Sequence, residues 1–313
     1  MIISASRRTD IPALYSEWFI NRLHAGYLLV RNPMNRMQVS KISLLPADVD
    51  CFVFWTKNPL PMLKHLSFID RYAYYFQFTV TSYDSSIERN LPPKKEIVDT
   101  FRRLSDAIGP DRVIWRYDPV FYAGHYDYSH HIKYFEYIAG KLSGYTERCM
   151  YSFITVYKKC EKNMDGISFS RPPISDMVKI SENFSNICSS HNISLQTCAE
   201  DIDLSDYGIS KGKCIDDVLI ARISGKDISV SKDRNQRREC RCVESLDIGA
   251  YNTCTHRCIY CYANYDHDRA LKNYTEHDPG SELIHGILTG GEIIRERSKH
   301  PGSDAAGSQG KLF

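Results

Sequence analysis

The sequence predicts an α/β protein, a partial TIM-type β/α barrel of parallel strands with a cysteine-rich C-terminal segment. Two observations carry this expectation. Short β-rich apolar runs alternate with segments of helical periodicity from Ile2 to Cys198. Almost every strand-like run then ends in Arg, Asp, Lys, Thr, Gln or Glu. In barrels of this kind the C-terminal strand ends carry the working residues, so polar side chains gather there.

The elements follow in chain order. Ile2–Ala5 reads as a strand that ends in Ser6-Arg7-Arg8-Thr9-Asp10, and residues 14–24 as a helix with Pro12 near its start. Tyr27–Arg31 is a short strand. Residues 51–55 form an apolar strand entering Thr56-Lys57-Asn58-Pro59, and 61–70 a helix. Residues 74–80 are β-rich, carry Gln77 and end in Thr81-Ser82-Tyr83-Asp84. Ile97, Phe101, Leu104 and Ile108 recur at helical spacing from Lys94, and Gly109-Pro110 stops that helix. Residues 112–115 lead into Arg116-Tyr117-Asp118-Pro119, where a buried charge is costly unless paired. Ile132, Phe135, Ile138, Ala139 and Leu142 mark another helix. Residues 149–156 form a strand running into the basic loop Lys158-Lys159. Met177, Ile180, Phe184 and Ile187 mark the next helix, and 193–198, with Gln196, the last strand of the series before Glu200.

Composition limits the function classes. The 313 residues are 42% apolar and 25% charged, the balance of a soluble globular chain with room for one large or two ordinary domains. Lys and Arg number 40 against 38 Asp and Glu, a net charge of +2, which gives no overall bias toward nucleic acid or membrane. No apolar run approaches the roughly 20 residues of a membrane span. MIISASRRTD lacks the basic-then-apolar order of a signal peptide, so a cytoplasmic location is expected. Eleven cysteines there argue for reduced thiols rather than disulfides. The expected organisation is 1–198 as barrel strands and helices, 199–245 as a cysteine-containing insert, 246–297 as a final strand with a cysteine loop and helix, and 298–313 as a polar tail.

The cysteines crowd toward the end. After a strand-compatible run, 246–251, Cys254, Cys258 and Cys261 are spaced C-x-x-x-C-x-x-C, with Tyr260 before the last; 258–271 is helix-compatible. Such a loop can present three thiolates to one side of a cubane 4Fe-4S cluster. Clusters usually have four cysteine ligands, so one iron stays open to a chelating small molecule. The rival is a zinc loop with a fourth ligand elsewhere, although zinc more often takes C-x-x-C pairs. Cys198, Cys214, Cys240 and Cys242 suffice for a second site, either an auxiliary cluster or zinc, or are buried small hydrophobes. The basic run 232–239 can contact nucleic acid, but a solvated face or charge balance for an anionic cluster is the favoured reading.

Asp247-Ile-Gly through Tyr-Cys-Tyr-Ala resembles the cluster motif of the radical S-adenosylmethionine superfamily, including the aromatic residue before the third cysteine. Further landmarks are Ser4-Ala-Ser-Arg-Arg-Thr-Asp, Phe54-Trp-Thr-Lys-Asn-Pro, Arg116-Tyr-Asp-Pro, Thr197-Cys-Ala-Glu and Cys240-Arg-Cys. Together they make nearly the whole chain resemble a little-characterised bacterial family of that superfamily, with its cluster motif at the C-terminal end. The ending is similar to the spore photoproduct lyase and DNA-repair-photolyase-like branch.

The resemblance implies a 4Fe-4S cluster on Cys254, Cys258 and Cys261, and S-adenosylmethionine. It implies a 5′-deoxyadenosyl radical that takes hydrogen from an unidentified substrate, and an electron donor such as flavodoxin or ferredoxin. It also implies a permuted barrel, in which the usual first strand comes last and 246–251 lies beside Ile2–Ala5; close chain ends make this geometrically cheap. In that reading Arg8, Asp10, Lys57, Arg116 and Asp118 are catalytic candidates, and Arg7 shares their face. Tyr260, Gln77, Gln196 and Glu200 are cofactor-binding candidates, with Tyr260 near the adenine. Arg116 is the first choice for an anionic group, because a guanidinium grips a carboxylate with two bonds. Thr289-Gly290-Gly291-Glu292 resembles the element that contacts the cofactor's ammonium group, although it runs into a helix-like Ile-Ile-Arg-Glu-Arg. Two rivals remain: a zinc-stabilised, non-catalytic module binding a protein or nucleic acid through 232–241, and a metal-dependent hydrolase using Asp10, Asp118, His125 and Glu200.

Overall fold

The computed structural model describes residues 1–157 and 162–297; the Lys158-Lys159 loop and the tail from 298, with its terminal Leu312-Phe313, lie outside the described residues. In chain order the strands are β1 (Ile2–Ala5), β2 (Tyr27–Arg31), β3 (Gln38–Ser43), β4 (Cys51–Thr56), β5 (Tyr74–Thr79), β6 (Val113–Val120) and β7 (Tyr122–Ala123). They continue with β8 (Arg148–Phe153), β9 (Phe169–Ser170), β10 (Ser194–Thr197), β11 (Ser210–Lys211), β12 (Leu246–Asp247) and β13 (Ile293–Glu296). Eight of them make one sheet in the order β11-β10-β8-β6-β5-β4-β1-β12. Every pairing in it is parallel. The fold is therefore α/β on a large parallel sheet. The sheet is open, with β11 and β12 at its two edges.

The order runs along the sequence except for β12, which joins β1 with Ile3 opposite Leu246 and Ser4 opposite Asp247. Right-handed crossovers in a sequential order put the connecting helices on one face, and the period-2 alternation of the strands agrees. Phe52, Phe54, Phe76, Phe78, Trp115 and Tyr151 point to the face shared with the helices Ser16–Ala25, Lys94–Ile108, Tyr128–Leu142 and Ile174–Ser190. Ile2, Val53, Tyr75, Ile114 and Met150 point the other way. There they pack on Cys214, Ile215, Leu219, Ile220, Cys240, Cys242 and Val243, so the cysteine-containing insert covers the second face.

Several elements differ from expectation. The 61–70 run breaks into Leu60–Leu63 and Leu66–Ile69. Residues 258–266 stay in turns, and the helix is His267–Thr275, started by Asp266, whose carboxylate accepts from Arg269 N–H at 2.9 Å. Ile293–Glu296 is a strand, not a helix, and pairs with β3 in a small sheet ordered β13-β3-β2. Among the described residues no helix is long and apolar enough to cross a membrane.

Candidate functional site

The C-terminal ends of the main-sheet strands surround a cavity of about 290 Å³. Its wall takes Ser6 to Asp10 after β1, Trp55 to Lys57 at β4, Arg116 and Asp118 on β6, Ser152 to Thr155 at β8, and Cys198 after β10. The insert adds Cys214, Arg237, Cys240 and Cys242, and the loop after β12 adds Cys254, His256, Cys258, Tyr260 and Cys261. Both cysteine groups thus face one space.

Asp247 joins the two ends of the chain at this rim. Its buried carboxylate accepts from Ser4 Oγ (2.9 Å), Ser6 Oγ (2.7 Å), Arg7 N–H (2.9 Å), Arg8 Nε (3.0 Å) and Gly249 N–H (3.0 Å). Burial pushes the carboxyl up, but Arg8 and these donors outweigh it and hold it below the ordinary value.

The cysteine loop is anchored from several sides. Asn264 Oδ1 accepts from the N–H groups of Thr253 (2.9 Å) and Cys254 (3.0 Å). Tyr15 Oη donates to Thr253 O at 2.6 Å, and Asn90 N–H to His256 O at 3.0 Å. His256 Nε2 meets Asp10 Oδ2 at 2.8 Å; the same oxygen accepts Lys57 N–H at 2.7 Å. Glu88, 1% exposed at its side chain, receives Lys57 Nζ (2.7 Å), Thr81 Oγ1 (2.8 Å), Lys94 Nζ and Tyr260 Oη. Burial opposes the charge of Glu88, yet Lys57 and Lys94 hold its carboxyl far below the usual range. Lys57 Nζ also lies 5.5 Å from the Tyr260 ring centre.

Burial raises the Cys254 thiol, and it pushes Cys258 up to about 12 although Lys57 pulls the other way. In the second group, Cys198 Sγ and Cys214 Sγ are 3.2 Å apart, and Arg116 Nη1 donates to Cys214 Sγ at 2.9 Å. The N–H groups of Cys214 and Ile215 donate to Cys242 Sγ at 3.3 and 3.4 Å. Among the described residues no three His, Cys, Asp or Glu side chains already stand as ligands around one metal ion.

Of the sequence candidates, Arg8, Asp10, Lys57, Arg116, Asp118, Tyr260 and all seven cysteines line the cavity. Gln77, Gln196 and Glu200 do not. Gln77 lies beneath the insert and donates to Cys214 O at 3.0 Å; Gln196 donates to Ser210 Oγ at 3.2 Å. Glu200 binds Phe153 N–H at 2.8 Å and Arg171 at 2.7 Å. His125 is also absent from the wall, which separates the four residues of the hydrolase reading. Thr289–Glu292 is outside it too, with Glu292 paired to Arg31 at 3.0 Å in the small sheet. Within the basic run, Arg237 and Gln236 turn into the cavity.

Arg116 is already engaged by Asp118 (2.5 Å), Cys214 and Gln77. Arg7, by contrast, has a buried Nη2 without a hydrogen-bond partner. Its guanidinium lies 5.1 Å from the Trp55 ring centre. Arg7 lies on the face where the sequence placed it, whereas His256, Glu88 and Asn264 are neighbours of the site that sequence reasoning left without roles. Asn264 follows the cysteine motif directly, and that position was its only signal.

A family model described as Domain of unknown function (DUF1848) matches residues 2–263. The chain belongs to that family. The DUF1848 match runs from β1 past Cys261, so it takes in both cysteine groups and every strand of the main sheet. No curated protein and no solved structure matches the chain. The donor set of this DUF1848 chain suits a thiolate-held metal group with an anionic ligand beside it: three sulfurs on one cavity wall, and a buried guanidinium nitrogen left unpaired.

Proposed function

We propose that this chain is a radical S-adenosylmethionine enzyme acting on an unidentified substrate, built on a partial, permuted β/α barrel. The observation that carries the reading is the joint placement of Cys254, Cys258 and Cys261 around one cavity at the strand ends, with Arg7 in its lining. The sequential strand order with β12 beside β1 supports the permuted barrel. Cys254, Cys258 and Cys261 would hold a 4Fe-4S cluster, which would supply the reducing electron for cleavage of S-adenosylmethionine to methionine and a 5′-deoxyadenosyl radical able to abstract hydrogen.

The chain's own part is binding, orientation and exclusion of water. The three cysteines would hold the cluster as thiolates, and its positive iron would offset the cost of burying that charge. Arg7 offers its free nitrogen to a carboxylate. Tyr260, fixed at its hydroxyl by Glu88 and at its ring by Tyr83 and Phe121, forms a rigid aromatic wall. Asp118, held by Arg116 and Ser152, turns a charged acceptor toward the cavity. A donor such as flavodoxin or ferredoxin completes the system.

The test is anaerobic reconstitution followed by iron and sulfide analysis, EPR with and without S-adenosylmethionine, and assay of 5′-deoxyadenosine under reductant. About four irons per chain, a spectrum altered by the cofactor and formation of 5′-deoxyadenosine are expected. A chain that binds no iron after reconstitution, or one whose iron neither responds to nor cleaves the cofactor, overturns the reading.

A further inference from the structure

The open sheet leaves a gap between its edges. β11 and β12 are not paired, and the chain between them, 212–245, lies across the inner face of the sheet. Gly212 N–H donates to Thr197 O of β10 at 2.9 Å where this crossing begins, and Val243 N–H donates to Ile215 O at 3.3 Å, tying its two ends to each other. Four cysteines sit at the points where the crossing meets the sheet. Cys198 follows β10, Cys214 follows β11, and Cys240 and Cys242 lead into β12. Cys214, Cys240 and Cys242 are buried in one apolar cluster, against which Cys198 packs.

We infer that Cys198, Cys214, Cys240 and Cys242 together hold one tetrahedral zinc ion, which fastens the β10–β11 edge to the run entering β12. Four thiolates make a closed, structural set. Their surroundings suit the net charge of −2 that four thiolates leave around a divalent ion. Arg116 Nη1 donates to Cys214 Sγ at 2.9 Å, and two backbone N–H groups point at Cys242 Sγ at 3.3 and 3.4 Å. Donors of this kind orient and tune thiolate ligands.

The close Cys198–Cys214 sulfur pair suits a single ion better than a second cluster. With Zn–S near 2.3 Å, the edge of a tetrahedral sulfur set is ~3.8 Å. Cys198 and Cys214 are 3.2 Å apart, so ligation asks them to part slightly, not to spread over separate irons. No three of these side chains yet surround one point, so metal entry also draws Cys240 and Cys242 toward the Cys198–Cys214 pair. The inference is independent of the radical reading, since it uses none of Cys254, Cys258 or Cys261.

The experiment measures zinc, iron and sulfide per chain in the full-length protein purified anaerobically. It compares wild type, a Cys254→Ala/Cys258→Ala/Cys261→Ala variant and a Cys240→Ser/Cys242→Ser variant. The expected result is one zinc in wild type, retained in the triple variant and lost in the double variant. Zinc-edge X-ray absorption of the wild type should give four sulfurs at about 2.3 Å. Should the double variant not fold, titrating wild-type thiols with a mercurial in the presence of a zinc dye replaces it, and one zinc is released. Iron instead of zinc in the triple variant, absence of zinc from wild type, unchanged zinc in a folded double variant, or a Cys198–Cys214 disulfide would each overturn the inference. Loss of iron from the triple variant alone reports on the radical reading and leaves this one standing.

Discussion

Arg8 Nε donates to Asp247 Oδ1 at 3.0 Å, although the two residues are 239 positions apart in the chain. The pair is buried on both sides, 5% exposed at each side chain, and it pins β12 to the segment after β1. Removing one member leaves a buried charge unpaired, a loss of roughly 3–5 kcal/mol. Asp247→Ala should therefore lose about 3 kcal/mol or more in urea unfolding at pH 7. The pH dependence has a definite sign. The folded carboxyl titrates below its ordinary value, so its contribution is complete above about pH 4 and fades as pH falls through the folded value. The stability gap between wild type and Asp247→Asn should shrink between pH 7 and pH 3. A gap that is flat or widens toward acid would contradict the assignment.

Gly249 follows the same junction, and its lack of a side chain is a packing requirement. A methyl group there would overlap the Ser6 side chain and come within 2.9 Å of Thr9 Oγ1, both in the segment that Asp247 holds. Overpacking of this kind typically costs about 1–3 kcal/mol. Gly249→Ala should lower the melting temperature by about 2–5 °C, and reduce the iron bound after reconstitution, because Thr9 Oγ1 contacts Thr253 Oγ1 at the head of the cysteine loop. An unaltered melt and full iron content would show that the loop tolerates the shift.

These contacts explain what could be read from the chain. Lys94–Ile108 was legible to the residue, because its apolar spacing is local and Gly109, at φ +95°, ends it. The polar strand ends also pointed to the rim of the cavity, since side-chain alternation on a strand depends only on neighbours. What could not be read depends on distant partners. β3 and β13 pair across more than half of the chain, so neither has a local signature beyond a short mixed run. Gln77 looked like a rim residue because it is polar and on a strand. It points to the inner face, but the insert covers it and binds its amide. Glu88 had no local mark, and His256 only its place between Cys254 and Cys258; Lys57, Lys94 and Asp10, brought in by the fold, give them their roles.

His131 offers a second pH test, away from the cavity. Its Nε2 meets Phe121 O at 2.9 Å and its Nδ1 meets Tyr117 Oη at 3.0 Å. A carbonyl can only accept, so Nε2 carries a proton, and burial disfavours the second proton that would charge the ring. Burial lowers its value to about 4, against an unfolded value near 6.5. Between those values the unfolded chain binds the extra proton, so stability falls as pH drops through the window, by up to about 3 kcal/mol. Urea midpoints of wild type should decline from pH 6.5 to 4.5 more steeply than those of His131→Asn, which has no such proton to gain. Parallel declines would show that the acid sensitivity originates elsewhere.

The last prediction separates two arginines that look alike in sequence. Arg116 spends its guanidinium on Asp118, Cys214 and Gln77, so its removal leaves Asp118 without its cation and unpairs a buried thiol contact. Arg7 keeps a buried Nη2 with no partner, over the face of Trp55. A hydrogen bond to a charged group contributes about 1.5–3 kcal/mol, roughly a ten- to hundredfold change in affinity. Arg7→Ala should weaken S-adenosylmethionine binding to reconstituted protein by that factor, read by calorimetric titration, with a melting temperature near wild type. Arg116→Ala should instead lower the melting temperature. Unchanged cofactor affinity in Arg7→Ala, together with lost affinity at full stability in Arg116→Ala, would move the carboxylate contact to Arg116. Zinc and iron content measured on both variants decides whether either change acts through the metal sites, since Arg7 and Arg116 both lie within electrostatic reach of the Cys214 sulfur.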